Sequence, residues 1–295
     1  MKTVGFIGLG HMGRPMAQNL IKAGYELHVY DLSAASVSAL VTHGAKGASS
    51  AAEAASNSDV IITMLPEGAH VRDVYLGSNA VLSIAKSGAL LIDCSTIDVE
   101  TSRFVHTEAD TKGFEMLDAP VSGGVKGAED GTLTFMVGGR AAAFEQAKPL
   151  LEVMGAKVVH VGSAGNGQAV KICNNMVLGI SMIGVSEAFN LGEALGLSRQ
   201  NLFDIMSTSS AQCWSLNSYA PVPDVVPTSP ANHNYEPGFS SAMMLKDLKL
   251  AEKASKDVAK SSPLGHSACE LYENFCNSGG NQKDFSAVIK FLQNL

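Results

Sequence analysis

The sequence lacks any pattern that would pair its cysteines or use them to bind a metal. It has five cysteines, an odd number, and no Cys-x-x-Cys spacing, which argues against a disulfide framework and a zinc knuckle. Its eight histidines show no His-x-x-x-His spacing, so we expect no metal site. We therefore expect reduced thiols and a cytoplasmic location.

Positive charge and long apolar runs are also scarce. Lysine and arginine number 21 against 28 aspartates and glutamates, a net charge of −7, and no basic run exceeds two residues. Nucleic-acid binders need a basic surface to neutralise phosphates, so we expect no such partner. The most apolar long stretch, residues 169–185, contains Lys171, Asn174 and Asn175, which would be costly against lipid. We expect a buried helix there and no membrane partner.

The first third of the chain alternates between strand and helix patterns. An apolar run from Thr3 to Ile7, a helical spacing from Gly13 to Ala23 and a strand pattern from Glu26 to Asp31 form a β-α-β unit. We therefore expect the start of the chain to belong to the folded domain and not to be a signal peptide. Further strands are predicted at residues 60–65, 89–93, 115–119, 132–137 and 157–161. Strands interleaved with helices predict an α/β, Rossmann-like, doubly wound domain.

The pattern changes after Gly162, where about thirty residues of helical spacing begin and no convincing strand follows. We predict a Rossmann-like domain at residues 1–162 and an all-α domain at 163–295 for substrate binding and oligomerisation, joined by a long interdomain helix. Residues 211–238 carry five prolines and no periodicity, which is too long for an ordinary connection. This loop is expected to be a lid, a pocket wall or an interface.

A glycine motif, GLGHMG at residues 8–13, follows the first predicted strand and opens the first predicted helix. In that context Gly8 allows a tight turn, Gly10 lets the backbone approach a pyrophosphate, and Gly13 lets helix pack on strand. The helix N-terminus supplies N–H groups and a positive dipole end for the phosphates. The motif predicts a dinucleotide site.

Asp31 ends the second strand, 18 residues after Gly13, close to the spacing at which a carboxylate binds the ribose of NAD. No arginine or lysine follows closely to accept the 2′-phosphate of NADP. We predict NAD as the cofactor. Leu65 and Pro66 end another strand at the same edge, where they could face the nicotinamide ribose.

Two further groups of residues suggest chemistry. Lys171, Asn174 and Asn175 lie at helical spacing in an apolar helix, where a buried lysine can exchange a proton with an alcohol and an amide can bind a carboxylate. A polar stripe over interdomain water is the alternative. Residues 118–124, DAPVSGG, end in a turn whose N–H groups and hydroxyl could bind an anion. A glycine-rich hairpin without a binding role is the alternative interpretation of this sequence.

These motifs together resemble the β-hydroxyacid dehydrogenase family. The resemblance rests on GFIGLGHMGRPMAQNL at residues 5–20, on DAPVSGG, on GNGQAVKICNN at 165–175 and on KDL at 246–248, in that order along nearly the whole chain. It is strongest to the members that oxidise 3-hydroxyisobutyrate, through CWS at residues 213–215, YAPVP at 219–223 and NYEPGF at 234–239. The related 6-phosphogluconate dehydrogenases carry histidine in place of Asn174 and are much longer.

The resemblance implies a role for each matching residue. Lys171 would be the general acid/base. Trp214 and Phe239 are expected to wall a pocket for the methyl branch of the substrate. The substrate carboxylate would be bound by Ser122, Gly123, Gly124 and Asn175. The cofactor would be lined by Gly8, Gly10, His11, Met12, Gly13, Asp31, Leu65, Pro66, His70, Thr96 and Lys246.

The implied activity is NAD-dependent oxidation of 3-hydroxyisobutyrate to methylmalonate semialdehyde, a step of valine breakdown. Another short 3-hydroxy acid, such as L-serine, tartronate semialdehyde or 3-hydroxypropionate, is the alternative substrate. A non-catalytic dinucleotide sensor is a third hypothesis, which Lys171 with Asn175 and Ser122 argues against. The long apolar helix would be better covered by a second copy, so we expect a homodimer or homotetramer.

Overall fold

Residues 2–78 and 80–295 are described by the computed structural model. The chain divides into two units, Met1–Lys171 and Ile172–Leu295. The division falls inside one long helix, Asn166–Ala194, so a single element continues from the first unit into the second. The domain boundary expected near residue 162 stays a prediction.

A nine-stranded sheet organises the first unit. Its strands are β1 (Thr3–Ile7), β2 (Glu26–Tyr30), β3 (Lys46–Gly47), β4 (Val60–Thr63), β5 (Leu90–Asp93), β6 (Glu115–Asp118), β7 (Val121–Ser122), β8 (Leu133–Gly139) and β9 (Gly155–Gly162). They lie in the order β3-β2-β1-β4-β5-β6-β8-β7, with β9 paired to β8. The strands from β3 to β6 are mutually parallel. Their order reverses between β1 and β4, and the crevice at the carboxyl ends there is where such sheets bind ligands.

Helices bury both faces of this sheet. They are α1 (Gly13–Lys22), α2 (Ala34–Val41), α3 (Ala51–Ser56), α4 (Gly68–Leu76), α5 (Val81–Ile84), α6 (Val99–Thr111), α7 (Gly124–Asp130) and α8 (Ala141–Met154). Successive strand residues enter opposite cores: Val4 and Phe6 pack in one hydrophobic cluster, and Ile7 and Ile61 pack in another. Burial on both faces explains why these strands read as continuous apolar runs.

The doubly wound architecture is confirmed, with additions that the sequence did not predict. Strands β3 and β7 have only two residues each, which is too short for a periodic pattern to reveal. Strand β8 runs antiparallel to β6 and to β7, and its pairing sets Gly138 opposite Asp118. This reversal leaves the end of β6 next to the start of the long helix.

Helices dominate the second unit, and the prediction of an all-α region is confirmed. They are α9 (Asn166–Ala194), which begins in the first unit, then α10 (Arg199–Met206), α11 (Trp214–Asn217), α12 (Ser241–Asp257), α13 (Pro263–Phe275) and α14 (Val288–Leu292), with 3-10 turns at Pro230–His233 and Phe285–Ala287 and a π-helical turn at Cys276–Gly280. Its core includes Phe189, Met244, Leu248 and Tyr272. Across residues 172–295 the only β pairing is one isolated bridge between Ser240 and Asp284.

The proline-rich segment at residues 211–238 is more ordered than its sequence suggested. It contains α11 and the 3-10 turn Pro230–His233, and several of its apolar side chains lie in the core of the second unit. The Tyr235 hydroxyl donates to the Pro221 carbonyl at 2.8 Å, and the Ser229 hydroxyl donates to the Ala220 carbonyl at 2.6 Å. Both helical elements have four residues, too few for periodicity to reveal, and side chains supply hydrogen bonds to the connecting backbone. Its role as a lid, a pocket wall or an interface stays a prediction.

Helix α9 is long and apolar enough to cross a membrane by length and composition, with a mean hydropathy of 1.4 in its apolar window. Core helices of soluble proteins meet the same description, so the helix alone identifies no membrane segment. Several of its apolar side chains are solvent-exposed, including Val177 at 58% and Leu191 at 63%.

Candidate active site

The loop between β1 and α1 carries the glycine motif, and its three glycines meet different constraints. Gly8 has φ +96°, and a Cβ added there would lie 2.3 Å from the Met64 carbonyl oxygen. A Cβ on Gly13 would lie 1.9 Å from the Gly8 carbonyl oxygen. Both positions therefore need glycine for the fold itself. Gly10 is exposed, and a Cβ there would meet nothing within 4 Å.

The space beside Gly10 is open and lies at the start of helix α1. Helix α1 begins at this loop, its N-cap residue Met12 makes no side-chain cap, and its first turn has no acidic residue. The helix end is therefore suited to bind an anion through backbone N–H groups and its dipole. His11 is exposed and Met12 half-buried, so both are accessible to a ligand bound at this loop.

Asp31 follows β2 and is hydrogen-bonded to the same loop. Its Oδ2 accepts the N–H of Leu9 at 2.6 Å, and its Oδ1 accepts the N–H of Ser33 at 2.7 Å. The carboxylate is half-buried, which leaves oxygen lone pairs available to a ribose hydroxyl. Its negative charge would repel a 2′-phosphate.

The segments after β4 and β5 lie side by side because these strands pair in register, Thr63 opposite Asp93. The Leu65 N–H donates to the Ser95 hydroxyl at 2.8 Å. Thr96 is half-buried at this edge. Pro66, next to Leu65, and His70, in the first turn of α4, are both exposed. Asp98, to which the sequence assigned no role, caps α6 by accepting the Thr101 N–H at 3.0 Å.

A buried carboxylate that sequence reasoning missed supports these segments. Asp93 is almost fully buried and accepts the hydroxyls of Thr63 at 2.7 Å and Ser95 at 2.6 Å. Burial raises the pKa of Asp93, and the charge of Asp118 raises it further. The Ser95 hydroxyl is thereby fixed as the group that receives the Leu65 N–H.

The start of α9 is held by a second buried carboxylate. Asp118, at the end of β6, is fully buried. Its Oδ1 accepts the Gly165 N–H at 2.8 Å and its Oδ2 accepts the Gln168 N–H at 3.0 Å. A Cβ on Gly167 would lie 2.4 Å from the Met136 carbonyl oxygen and 2.7 Å from Asp118. The Gly-Asn-Gly pattern therefore lets α9 begin directly against the sheet.

Lys171 lies one turn after Gln168 on α9 and is only 8% exposed. Asn175 follows one further turn along the same helix and is 2% exposed. Its amide nitrogen donates to Asp247 Oδ2 at 2.5 Å, and the Lys246 ammonium lies 3.2 Å from Asp247 Oδ1. Asn174 is exposed and donates to Asn175 Oδ1 at 2.9 Å. Asp247, which the sequence analysis placed in a motif without a role, thus links two predicted site residues.

The Ser-Gly-Gly turn lies where β7 meets the short helix α7. Ser122 is half-buried, while Gly123 and Gly124 are exposed. Gly123 has φ +134° and Gly124 has φ +63°, conformations that strongly favour glycine. The turn is therefore an open backbone surface opening a helix rather than the hairpin that was the alternative.

Trp214 and Phe239 are the two ends of one aromatic stack in the second unit. Trp214 stacks on Tyr219 with ring centroids 4.7 Å apart, and Tyr219 stacks on Phe285 at 5.4 Å. Phe285 contacts Phe239 edge-on at 5.7 Å. Trp214 keeps 52% of its surface exposed, so it has surface left to contact a ligand. Sequence reasoning missed the two middle rings.

Asp284 holds this stack in place. Its Oδ2 accepts the Tyr219 hydroxyl at 2.9 Å and the N–H groups of Gly238 at 3.0 Å and Phe239 at 3.1 Å. Burial raises the pKa of Asp284, and burial together with the Asp284 charge raises the pKa of Tyr219 well above its usual value. No local sequence signal marked Asp284, because its partners lie far along the chain.

Within each unit, the predicted residues fall into groups. In the first unit, the glycine loop, Asp31, Leu65 and Thr96 follow the carboxyl ends of parallel strands, which share one edge of the sheet. Lys171 belongs to the helix fixed to Asp118 at the end of β6. In the second unit, Asn175 and Lys246 meet at Asp247, and the aromatic stack forms a separate group.

Two protein-family models match the chain, one on each side of residue 164. Residues 3–162 match the model described as the NAD binding domain of 6-phosphogluconate dehydrogenase. Residues 165–292 match the model described as the NAD-binding region of NADP-dependent 3-hydroxyisobutyrate dehydrogenase.

Named relatives are similar over nearly the full length. A probable mitochondrial 3-hydroxyisobutyrate dehydrogenase from Dictyostelium discoideum is 52% identical, covering 99% of this chain and 91% of the relative. An NAD-dependent L-serine dehydrogenase from Pseudomonas aeruginosa is 48% identical, covering 99% and 98%. A solved structure of the Mycobacterium tuberculosis 3-hydroxyisobutyrate dehydrogenase with L-serine has a TM-score of 0.94, 47% identity and 99% coverage of both chains.

The glycine loop yields a prediction that separates fold from ligand. Gly10→Ala should leave the unfolding midpoint in urea unchanged, since its Cβ meets no protein atom, but should weaken NAD binding by roughly tenfold, because the methyl group occupies the phosphate space. Gly13→Ala should lower the free energy of unfolding by about 1–3 kcal/mol through the clash with Gly8. Urea unfolding and NAD titration of both variants check this. Unchanged NAD affinity in Gly10→Ala would show that no phosphate lies there.

Proposed function

Because the chain belongs to the β-hydroxyacid dehydrogenase family, which includes the 3-hydroxyisobutyrate dehydrogenases, we propose that it oxidises 3-hydroxyisobutyrate to methylmalonate semialdehyde. The family assignment and NAD as cofactor, both predicted from the sequence, are confirmed, and the protein is an oxidoreductase. In the proposed reaction the primary alcohol loses a hydride to NAD⁺ and a proton to the enzyme, which yields the aldehyde and NADH. The reaction would serve valine breakdown.

Lys171 carries the proton step. Its near-complete burial on α9, at a helix start fixed by Asp118, is the observation that supports this assignment most directly. A buried amine in its neutral form can accept the hydroxyl proton as the hydride leaves, and it returns the proton in the reverse direction. NAD supplies the hydride acceptor when bound.

Anion contacts and an apolar wall account for substrate choice. Ser122 and the backbone N–H groups of Gly123 and Gly124, both exposed residues, bind the carboxylate, and the Asn175 amide, oriented by Asp247, is a further ligand. Trp214 and Phe239, as the ends of a stack fixed by Asp284, contact the methyl branch. The nicotinamide side of the cofactor is lined by Thr96, Leu65, Pro66, His70 and Lys246.

L-Serine is the second candidate substrate. The Pseudomonas aeruginosa relative named for L-serine is 48% identical, and the Mycobacterium tuberculosis structure contains L-serine. Serine is also a short 3-hydroxy acid, so the same proton acceptor and anion contacts would serve it. The two substrates differ at C2, where one has a methyl group and the other an ammonium group.

A homodimer or homotetramer is the proposed assembly. The apolar side chains of Val177 and Leu191 on α9 are solvent-exposed, and a second copy of the chain would cover them, since exposed apolar surface often marks an interaction site. The five cysteines all lie among the described residues and are free thiols. Free thiols are typical of a reducing compartment, so the cytoplasm is the proposed location.

Removing the Lys171 amine should abolish most turnover. Lys171→Ala should lower kcat by at least about 10²-fold, the usual contribution of a general acid/base, while the Kd for NAD changes little. Steady-state kinetics with either substrate and a separate NAD titration measure this. Lys249→Ala, which removes an exposed lysine paired with Glu273, is the matched control and should keep normal kcat. Near-normal kcat in Lys171→Ala would refute the assignment.

Asp31 should control the choice between NAD and NADP. Asp31→Arg replaces repulsion of a 2′-phosphate with attraction, so the ratio of kcat/KM for NAD to that for NADP should fall by roughly tenfold or more. Asp31→Asn removes the charge while keeping an oxygen acceptor. Its ratio should lie between that of the wild type and that of Asp31→Arg. A ratio that stays at the wild-type value in both variants would mean that Asp31 does not face the ribose.

The substrate series should follow the groups that each compound offers. Deleting the methyl group, as in 3-hydroxypropionate, should cost about 1–3 kcal/mol of transition-state binding, whereas masking the carboxylate as a methyl ester should cost far more. We therefore expect kcat/KM to fall from 3-hydroxyisobutyrate to 3-hydroxypropionate to the ester. An ester as good as the acid would disprove the anion contacts, and L-serine outperforming 3-hydroxyisobutyrate would make it the principal substrate.

A further inference from the structure

Gln168 is a fully buried polar side chain in the first unit that the proposed reaction does not use. Its Oε1 accepts the backbone N–H of Ile97 at 3.0 Å, and its Nε2 donates to the backbone carbonyl of Ser95 at 2.7 Å. The two partners flank Thr96 in the chain. A single amide therefore binds the backbone on both sides of a residue expected at the nicotinamide.

The orientation of this amide is fixed by its partners. An N–H must face an oxygen and a carbonyl must face an N–H, so the flipped amide would lose both hydrogen bonds at once. The Gln168 backbone is also fixed, because its N–H donates to Asp118 Oδ2. The side chain and the helix turn that carries it consequently have one arrangement.

The hydrogen bonds continue to Leu65, in the segment after β4. The Ser95 residue whose carbonyl receives Gln168 also accepts the Leu65 N–H through its hydroxyl, which Asp93 in turn accepts. One connected set of buried bonds thus joins the segments after β4 and β5 to the first turn of α9. Lys171 is three residues after Gln168 on that helix.

We infer that Gln168 is a positioning residue for hydride and proton transfer: it holds Thr96 at a set distance from the turn of α9 that carries Lys171. Hydride transfer and proton transfer act on one carbon and the oxygen bonded to it, and a displacement of about 1 Å between the groups involved can lower the rate by 10²-fold. The amide acts through Thr96 and Lys171 and does not contact the reacting atoms itself. This inference rests on the proposed role of Lys171.

Gln168→Ala removes both side-chain bonds and should lower kcat by about tenfold or more while the Kd for NAD stays within about threefold, since the glycine loop and Asp31 are unchanged. The primary deuterium isotope effect on kcat should rise, because misaligned hydride transfer becomes more rate-limiting. Gln168→Glu keeps an acceptor for Ile97 but sets an oxygen against the Ser95 carbonyl, and it should show the same effects.

A direct structural readout needs no turnover. The Ile97 amide proton is bonded to Gln168 Oε1, so its hydrogen exchange should accelerate by about tenfold or more in Gln168→Ala. Asn19→Ala is the matched control, since Asn19 also donates an amide N–H to a distant backbone carbonyl, that of Ala128, at 2.8 Å. It should leave Ile97 exchange, kcat and the isotope effect at wild-type values.

The outcomes separate this inference from the proposed function. Normal kcat and isotope effect in Gln168→Ala, with Lys171→Ala inactive, would overturn the positioning role and leave the function intact. Equal losses of kcat in Gln168→Ala and Asn19→Ala would mean that Gln168 contributes only to general stability. That result would also overturn the positioning role. If Lys171→Ala remains active, the proposed proton acceptor is wrong, and the inference about positioning fails with it.

Discussion

The carboxylate of Asp118 is the constraint on which the arrangement of the first unit depends. The first N–H groups of a helix have no partner within the helix. Helix α9 begins inside the protein, where an unpaired N–H is costly. Asp118 accepts the N–H of Gln168 in the first turn and also that of Gly165, the residue just before the helix. The position of β6 in the sheet therefore sets where α9 starts, and α9 in turn sets where Lys171 lies.

A second buried carboxylate serves the other unit in the same way. Asp284 accepts two consecutive backbone N–H groups and the Tyr219 hydroxyl with one oxygen, and the N–H and hydroxyl of Ser286 with the other. A buried charge is tolerated only when its hydrogen-bonding capacity is filled. These donors come from three separate stretches of chain, so the carboxylate fixes the irregular segment that no regular ladder of hydrogen bonds could organise.

The sequence predicted the features that depend on local pattern. Apolar runs marked β1, β4 and β5, and glycine spacing marked the dinucleotide loop, because the backbone demands of a tight turn appear directly as residue type. The partners of buried polar groups were not predictable. Gln168 lay inside a motif that was recognised, yet nothing local indicated that its amide would bind Ser95 and Ile97. Asp284, Tyr219 and Phe285 meet only after folding, and β3 and α11 are too short for periodicity to show.

The aromatic stack has a consequence for how substrate preference can change. Trp214 and Phe239 are joined through the rings of Tyr219 and Phe285, and each ring is packed against the next. A change in the size of Phe285 must be absorbed by its neighbours, because well-packed interiors transmit a change in volume. With the substrate contacts proposed for Trp214 and Phe239, variation at this inner position would alter which short acid is accepted, although Phe285 itself is buried. Laboratory evolution confined to exposed pocket residues would not sample this route.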